Sequence, residues 1–257
     1  MELVILAGGK GTRISEETYL KPKPLIEIGD MPIIWHIMKF YSYYGIKNFI
    51  ICGGYKCNLI KEFFYNYKFH TSDLFIDLKN NQRNFFTKKD DDWKINVINT
   101  GPDTQTGGRI KKIKKFIKGD SFCLTYGDGL SDVNIKKLIK FHSQHKKLAT
   151  VTVIKPSGKF GAISLKGNDV TKFHEKPDGD GNWINGGFFV LNKGIFSYIK
   201  NDKTIWEREP LEKLAQTNNL RAFKHRNFWS PMDTLKDKNY LENLWNSKKA
   251  PWKKWNG

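Results

Sequence analysis

The chain has 257 residues, 39% of them hydrophobic and 14% aromatic, which suffices for one large α/β domain and excludes a chain disordered throughout. No apolar run approaches the ~20 residues that span a bilayer, and a strand-like segment begins at Leu3, so we expect no signal peptide, no membrane partner and a cytoplasmic location. The net charge of +18, from 44 basic and 26 acidic residues, attracts anions, but the lysines are scattered, so we expect no nucleic-acid partner.

The three cysteines indicate a reducing compartment rather than a disulfide or metal framework. Cys52, Cys57 and Cys123 are odd in number and lack metal-ligand spacing. Cys52 and Cys123 lie in apolar runs, where a free thiol is an ordinary core residue.

The N-terminal segment predicts a buried strand that ends in a phosphate-binding loop. Leu3–Leu6 is a short apolar run of the kind found in parallel sheets. The following Ala7–Arg13, with sequence AGGKGTR, has three glycines in four positions, and its backbone N–H groups can form a concave nest for phosphate. Four cations are crowded around this loop and supply charge for a polyphosphate: Lys10, Arg13, Lys21 and Lys23.

Spacing excludes two better-known phosphate loops. The dinucleotide fingerprint G-x-G-x-x-G fails because Ile14 stands where the third glycine should be. The P-loop G-x-x-x-x-G-K-[ST] fails because no lysine after a correctly placed glycine pair is followed by Ser or Thr. A glycine-rich turn without a ligand remains the alternative, and the crowding of cations favours phosphate.

The next segments alternate in the manner of a parallel sheet with helical crossovers. Pro32–Tyr44 predicts a helix, Asn48–Cys52 a strand, and Lys56–Phe64 a second helix. His36, inside the first helix, is expected to pack or to lie at the surface rather than to act as a ligand.

Asn66–Asp92 breaks this alternation and is interpreted as an insertion. It mixes aromatic residues with polar ones and ends in three aspartates, Asp90–Asp92. We expect a strand pair or a mobile loop that covers the site or touches another subunit. The three aspartates could form a metal cluster, but consecutive aspartates in a loop are usually solvated charge.

A strand at Trp93–Asn99 leads into the loop Thr100–Arg109, with sequence TGPDTQTGGR. Gly107 and Gly108 would permit close backbone approach at the start of the next helix, whose N-terminus offers N–H groups to an anion. The alternative is an ordinary helix start with a surface arginine at position 109. The helix itself is predicted from apolar residues at helical spacing, with lysines on its solvated face: Ile110, Ile113, Phe116 and Ile117.

Phe122–Thr125 predicts another buried strand, and Asp128 follows it between two glycines. Ligands of open α/β sheets bind at the carboxyl ends of parallel strands, which is where this carboxylate stands. Mg²⁺ prefers one or two carboxylates together with substrate oxygens and waters, and the glycines leave room for such an ion. The alternative for Asp128 is an ordinary turn aspartate.

From Ala149 onward the pattern changes mainly to strands that should extend the sheet. Asp233 precedes the last predicted helix, where it could be either an N-cap or a metal ligand. Trp252 and Trp255 in the tail should pack on the domain or on a neighbouring subunit. The predicted strands are Ala149–Ile154, Phe160–Leu165, Val170–Phe173, Ile184–Leu191 and Leu220–His225, and the predicted helices are Gly194–Lys200, Glu209–Gln216 and Leu235–Trp245.

LAGGKGTR together with KPKPLIEIGDMPI resembles the nucleotide-sugar pyrophosphorylases, or sugar-1-phosphate nucleotidylyltransferases. The run ISEETYLKPKP resembles the glucose-1-phosphate cytidylyltransferase branch of that family. Further stretches agree over nearly the whole chain: TGGR from Thr106, TYGDGLSDVN from Thr125, HEKPDGDGNWINGGFFV from His174 and FWSPMDTLKDKNYLENLW from Phe228.

The resemblance implies an α/β fold with a Rossmann-like, mixed and mostly parallel sheet flanked by helices, as in GT-A-like nucleotidyltransferases, and a smaller β-rich sugar-binding portion. We expect a single domain over residues 1–257. Its nucleotide-binding half would be residues 1–148, with the insertion at 66–92. Residues 149–257 would form the sugar-binding half and the C-terminal helix and tail.

The resemblance also implies a role for individual residues. Arg13, Lys23 and Asp128 would be catalytic, and Asp128 and Asp233 would hold Mg²⁺. The nucleotide-binding residues would be Leu6, Ala7, Gly8, Gly9, Lys10, Gly11, Thr12, Arg13, Lys23, Thr104, Gly107, Arg109 and Gly127. The residues that bind the sugar phosphate would be Gly161, Glu175, Lys176, Asn185 and Gly186.

The resemblance implies Mg²⁺-dependent transfer of a cytidylyl group from CTP to α-D-glucose 1-phosphate. It also implies a homo-oligomer, expected to be a hexamer, that serves dideoxysugar and surface-polysaccharide synthesis. The attacking phosphate oxygen is already anionic, so no general base or covalent nucleophile is needed, which agrees with the lack of a catalytic triad among six histidines. Two alternatives stay open: transfer from dTTP or UTP, and a non-catalytic regulator that binds nucleotide sugar.

Overall fold

The first strand, β1 (Glu2–Ala7), lies within the sheet and buries every one of its residues. Leu3 and Ile5 belong to the core on one face of the sheet, whereas Val4 and Leu6 belong to the core on the other. A run of apolar residues without alternation needs cover on both faces. The sequence-based prediction of a doubly covered strand is confirmed.

The structure is a computed structural model that describes residues 1–86, 91–156, 162–166, 169–174 and 182–255. The strands after β1 are β2 (Glu27–Ile28), β3 (Met31–Pro32), β4 (Asn48–Gly53), β5 (Asp73–Asp77), β6 (Gln82–Phe86), β7 (Lys94–Asn99), β8 (Ser121–Tyr126), β9 (Gly129–Ser131), β10 (Ala149–Ile154), β11 (Ala162–Lys166), β12 (Asp169–His174), β13 (Ile184–Asn192), β14 (Leu220–His225) and β15 (Trp229–Pro231). The α-helices are α1 (Ser15–Thr18), α2 (Ile33–Tyr43), α3 (Cys57–Tyr65), α4 (Tyr67–Thr71), α5 (Thr106–Lys112), α6 (Ile135–His145), α7 (Glu209–Gln216) and α8 (Leu235–Asn246).

The central sheet has the strand order β14-β10-β13-β8-β1-β4-β7. β1 pairs in parallel with β4 and β8, β4 with β7, and β10 with β14, while β13 runs antiparallel between β8 and β10. This mixed, mostly parallel sheet confirms the predicted fold class. Because β13 is reversed, its amino end lies at the same edge as the carboxyl ends of β1 and β8.

Helices cover both faces of the sheet. One core is closed by α2, α6 and α8, whose buried residues include Ile37, Leu138 and Leu241. The opposite core is closed by α5 and α7, through Ile110 and Leu214. In the tail, Trp252 is fully buried in the first core, so the tail packs on its own domain.

Two predicted helices have a different form in the structure. The lysine-rich helix ends as α5 at Lys112 and is followed by a 3₁₀ turn, Lys114–Phe116. The segment predicted as Gly194–Lys200 is a 3₁₀ helix, Lys193–Tyr198. Apolar residues three apart share a face in either helical form, so spacing alone did not separate them.

The insertion contains the predicted strand pair, because β5 and β6 form an antiparallel hairpin after α4. The two described aspartates at the end of the insertion, Asp91 and Asp92, form ion pairs rather than being merely solvated. Asp91 accepts hydrogen bonds from Tyr67 Oη at 2.6 Å and Lys39 Nζ at 2.8 Å, and Asp92 pairs with Lys47. Asp90 lies outside the described residues.

Other expectations are also settled by burial. Cys52 and Cys123 are free thiols in the core, as predicted. His36 is fully buried and packs among tryptophans.

Within the described part of the chain, no helix combines the length and hydropathy needed to cross a membrane.

Candidate active site

A cleft of about 790 Å³ opens where β1 and β8 end and β13 begins. The glycine loop after β1 forms one wall, and the segment before α5 forms the next. The turn that carries Asp128 and the stretch from Trp229 to Asp233 complete the enclosure. Four segments that are distant in sequence therefore meet at one edge of the sheet, as parallel topology requires.

The glycine loop is shaped by two close approaches. A Cβ on Gly8 would stand 2.2 Å from Cζ of Arg109, so only glycine fits above the guanidinium. Gly11 has φ +67°, a left-handed conformation that glycine adopts without strain, and it turns the chain into the short 3₁₀ helix Thr12–Ile14. Gly9 has open space on the side where a Cβ would point. The loop backbone is thereby open to a ligand in the cleft.

Arg109 is a buried clamp beneath this loop, with only 4% of its surface exposed. Its guanidinium donates to the carbonyl oxygens of Gly8, Gly53, Gly101 and Pro102 at 2.7–3.2 Å and to Thr100 Oγ1 at 2.6 Å. Burial lowers the pKa of Arg109. The clamp joins the ends of β1, β4 and β7 and places a positive charge directly under the loop.

Lys23 brings the two predicted metal carboxylates together. Its Nζ lies 2.6 Å from Asp128 Oδ2 and 2.7 Å from Asp233 Oδ1. Arg13 Nη1 contacts the other oxygen of Asp233, also at 2.6 Å. The Lys23 side chain is 9% exposed and the Arg13 side chain 72%, so one cation is fixed inside the cleft and the other stands at its mouth.

This donor set fits a magnesium ion that is completed by substrate. Two carboxylates share one cationic nitrogen, so they lie close enough for one cation to contact both. Mg²⁺ characteristically takes one or two carboxylates and fills its other positions with phosphate oxygens and waters. Among the described residues no group of three or more His, Cys, Asp or Glu side chains forms a complete cage.

The structure removes one of the two roles that the sequence left open for Asp233, that of N-cap. The N-cap of α8 is Thr234, whose hydroxyl accepts from Asp237 N, while the Asp237 carboxylate accepts from Thr234 N to complete a capping box. Asp233 is therefore not the cap, and its carboxylate points to Arg13 and Lys23.

A second hydrogen-bonded group also lines the cleft. Glu207 accepts from Tyr126 Oη at 2.5 Å and from Thr106 Oγ1 at 2.6 Å. The Asn185 side-chain nitrogen donates to Tyr126 Oη at 3.4 Å. Burial, followed by the neighbouring Glu207 charge, raises the pKa of Tyr126 well above its usual value, so the phenol remains a donor.

The structure brings most of the predicted site residues to the cleft. All predicted nucleotide-binding residues except Gly107 line it, together with Asp128, Asp233, Asn185 and Gly186. Gly107 is not among the lining residues. A Cβ there would stand 2.7 Å from Thr204 O, so the close approach is to the protein's own chain. Gly161, Glu175 and Lys176 lie outside the described residues.

Thr104 lines the cleft, but its hydroxyl is already engaged in the loop. It donates to Thr100 O at 2.6 Å and accepts from Lys112 Nζ at 3.1 Å.

Sequence reasoning missed Glu207 and Trp229, which also line the cleft. Glu207 stands in an irregular stretch, TIWEREP, where no local pattern distinguishes it from a surface acid. Trp229 lay in a quoted family stretch, but its indole bond to Gly186 O at 2.7 Å needs the tertiary fold.

Comparison with known proteins agrees with this geometry. A family model described as "Nucleotidyl transferase" matches residues 2–237. The chain is 53% identical to glucose-1-phosphate cytidylyltransferase of Salmonella typhimurium, over 99% of this chain and 100% of the relative. It is 43% identical, over the same shares, to a Bacillus subtilis protein named "Probable glucose-1-phosphate cytidylyltransferase".

Solved structures of lower identity share the fold. HddC from Yersinia pseudotuberculosis aligns with a TM-score of 0.69 at 22% identity, covering 95% of this chain and 99% of that one. The inositol-1-phosphate CTP transferase of T. maritima aligns with a TM-score of 0.67 at 17% identity, covering 100% and 98%. The family match over nearly the whole chain, the full-length relatives and the shared fold agree, and the chain belongs to the nucleotidyl transferase family.

Proposed function

We propose that this chain transfers a cytidylyl group from CTP to α-D-glucose 1-phosphate, forming CDP-glucose and releasing pyrophosphate. The reaction class is supported by the convergence of Lys23 and Arg13 on Asp128 and Asp233 beside a glycine loop. The choice of substrates is supported by 53% identity over 99% of the chain to a relative with that name. The site residues proposed here are those that line the cleft.

The glycine loop and Arg109 would hold the triphosphate. Among the described residues, buried Arg109 bonds to four carbonyl oxygens and one hydroxyl, and no carboxylate there makes direct contact to cancel its charge. A positive charge in a region of low dielectric acts more strongly than one in water. We infer that this charge favours an anion above Gly8 and Gly9, and that the loop N–H groups orient it.

Lys23 and Arg13 would stabilise the charge that moves during transfer. Lys23 is held in place between two carboxylates before substrate arrives, so it would need little reorganisation to contact the transferring phosphoryl group. Arg13 is more exposed and can turn from Asp233 to the departing pyrophosphate. The attacking oxygen of the sugar phosphate is already an anion, so no proton has to be removed from it.

Members of this family generally use a divalent metal, and we propose Mg²⁺ held by Asp128 and Asp233. When bound, it would neutralise phosphate oxygens and help to align the two substrates. Asp128 and Asp233 would be the residues that hold the ion. Their present contacts with Lys23 keep the pair from repelling each other.

The deciding experiment measures pyrophosphate release with CTP and glucose 1-phosphate, with Mg²⁺ and with a chelator. We expect turnover that needs the metal and a kcat/KM for CTP at least about tenfold above those for dTTP and UTP, which corresponds to about 1.4 kcal/mol. A preference for dTTP or UTP would replace the substrate assignment. Binding of CDP-glucose without turnover of any triphosphate would support the non-catalytic regulator instead.

We also propose that the protein is a cytoplasmic homo-oligomer, a hexamer, and that its product enters dideoxysugar synthesis for a surface polysaccharide. Light scattering after size-exclusion chromatography measures the subunit number directly. Loss of the polysaccharide after deletion of the gene, with recovery on complementation, would test the pathway.

A further inference from the structure

Glu207 joins two walls of the cleft that come from distant parts of the chain. Its two carboxylate oxygens are used separately, one by the Tyr126 hydroxyl at 2.5 Å and the other by Thr106 Oγ1 at 2.6 Å. Tyr126 is the last residue of β8, and Thr106 is the first residue of α5. Thr106 Oγ1 also accepts a hydrogen bond from Trp206 N at 2.9 Å. The Thr106 hydroxyl proton is therefore directed toward Glu207.

The same contacts determine how Asn185 is oriented. An ionised carboxylate can only accept, so the Tyr126 hydroxyl proton points to Glu207 and the phenol oxygen is left to accept from Asn185. On its other side, Asn185 Oδ1 accepts from Gly187 N at 2.8 Å. The Tyr126 ring is also held against Gly187, where a Cβ would stand 2.6 Å from Cδ2. The amide of Asn185 therefore has one orientation.

Among the residues that the structure describes, an amide fixed in this way leaves one N–H group for a ligand. Asn185 Nδ2 has two hydrogens, and Tyr126 takes one of them. Asn185 is exposed and lines the cleft on the side of β13, where we place the acceptor sugar phosphate. The negative charge of Glu207 at this wall disfavours a phosphate group and favours hydroxyl groups.

We propose that Glu207 is a positioning residue for the acceptor sugar, which acts through Tyr126 to orient the Asn185 amide toward it. This inference rests on the proposed function, because it assigns the wall at Asn185 to glucose 1-phosphate. Glu207 is already bonded to Tyr126 and Thr106, and in this proposal it would act through them rather than by contact with the reacting phosphates. Losing it should therefore weaken use of the sugar phosphate much more than use of the nucleotide.

Two variants and a matched control test the proposal. Glu207→Gln removes the charge that orders the hydroxyl proton, and Tyr126→Phe removes the hydroxyl but keeps the ring against Gly187. Glu212→Gln changes an exposed acid on α7 that does not line the cleft. We expect each of the first two to raise KM for glucose 1-phosphate about tenfold, with KM for CTP changed less than about twofold, and the control to change neither.

The double variant shows whether the residues act as one unit. If the relay is correct, Glu207→Gln combined with Tyr126→Phe should raise KM for glucose 1-phosphate no more than about twofold beyond the larger single effect, because the second change removes a contact already lost. Equal increases in both KM values, or no increase in either, would overturn the proposal. Melting temperatures of all variants identify any that fail to fold.

A measurement without turnover separates this proposal from the proposed function. In ¹⁵N-labelled protein, the side-chain amide signal of Asn185, assigned by its loss in Asn185→Asp, should shift in Tyr126→Phe and Glu207→Gln and stay in place in Glu212→Gln. If the protein does not use glucose 1-phosphate at all, the proposed function fails, while an unmoved Asn185 signal would independently overturn the relay.

Discussion

The Lys23 ammonium lies 2.6 Å from the Asp128 carboxylate, although 105 positions separate the two residues in the chain. The same nitrogen reaches Asp233 at 2.7 Å. A lysine buried in this position is stabilised by two anions, and those anions are kept together by the lysine. The ion pairs thus assemble the site before substrate binds, and removal of any one group changes the electrostatics of the other two.

Asp128→Asn should reduce turnover at least about a hundredfold, because it removes one carboxylate from the proposed metal site and one partner of Lys23, an effect of about 3 kcal/mol on the transition state. The measurement is pyrophosphate release at saturating substrates. The matched control is Asp120→Asn, an exposed aspartate just before the opposite end of β8, which should leave turnover unchanged. Near-normal turnover in a folded Asp128→Asn variant would remove Asp128 from the mechanism.

Lys23→Met should make the protein's stability depend on Mg²⁺ more strongly than in the unmodified chain. Without the ammonium, Asp128 and Asp233 repel each other and a bound cation relieves that repulsion. We expect a larger rise in melting temperature on adding Mg²⁺, together with a loss of turnover of about a hundredfold. Lys21→Met is the control: the sequence offered Lys21 as a cation for a polyphosphate, but in the structure it pairs with Glu27 and does not line the cleft. Equal Mg²⁺ effects in both variants would contradict the proposed ligands.

Arg109→Lys should destabilise the fold by about 2–4 kcal/mol, because a single ammonium cannot satisfy the five acceptors that the guanidinium serves. Denaturant unfolding measures this loss, and KM for CTP should rise because the glycine loop loses its support. Lys111→Met, at an exposed position on α5, should cost less than about 0.5 kcal/mol. A fully stable Arg109→Lys variant would show that the clamp is dispensable.

His36 should make stability depend on pH between about 4 and 6.5. Its Nε2–H donates to Ile28 O at 2.8 Å and its Nδ1 accepts from the Trp252 indole at 3.3 Å, so the folded state requires the neutral ring. Burial lowers the pKa of His36 from 6.5 to about 4. The unfolded chain therefore binds the extra proton first, and stability present above pH 6.5 is lost as pH falls toward 4, by about 3 kcal/mol.

Unfolding free energies measured across this pH range check the prediction for His36. In His36→Gln this part of the pH dependence should disappear, since the amide can keep both polar contacts without titrating. His70→Gln is the control, because His70 is exposed, and it should retain the full pH dependence. A pH profile that is the same in His36→Gln as in the unmodified protein would refute the assignment.

Local sequence patterns determined a large part of this molecule. The apolar run of β1, the glycines after it and the alternation of strands and helices predicted a parallel sheet with an anion-binding loop. They succeeded because burial on both faces and left-handed backbone geometry restrict which residues a short segment can use. The same reasoning could not separate an α-helix from a 3₁₀ turn at Lys114–Phe116, since both bury residues at a spacing of three.

Only the tertiary structure decided which polar groups act together. From the sequence, Asp233 could be either the N-cap of a helix or a metal ligand, and Arg109 was predicted to bind the nucleotide. Glu207 could not be distinguished from a surface acid. In the structure, Thr234 is the N-cap of α8, Arg109 lies under the glycine loop, and Glu207 accepts a hydrogen bond from Tyr126. The physical reason is that hydrogen bonds and ion pairs depend on distances of a few ångströms between residues that can be 220 positions apart, as Arg13 and Asp233 are, and no local pattern encodes such distances.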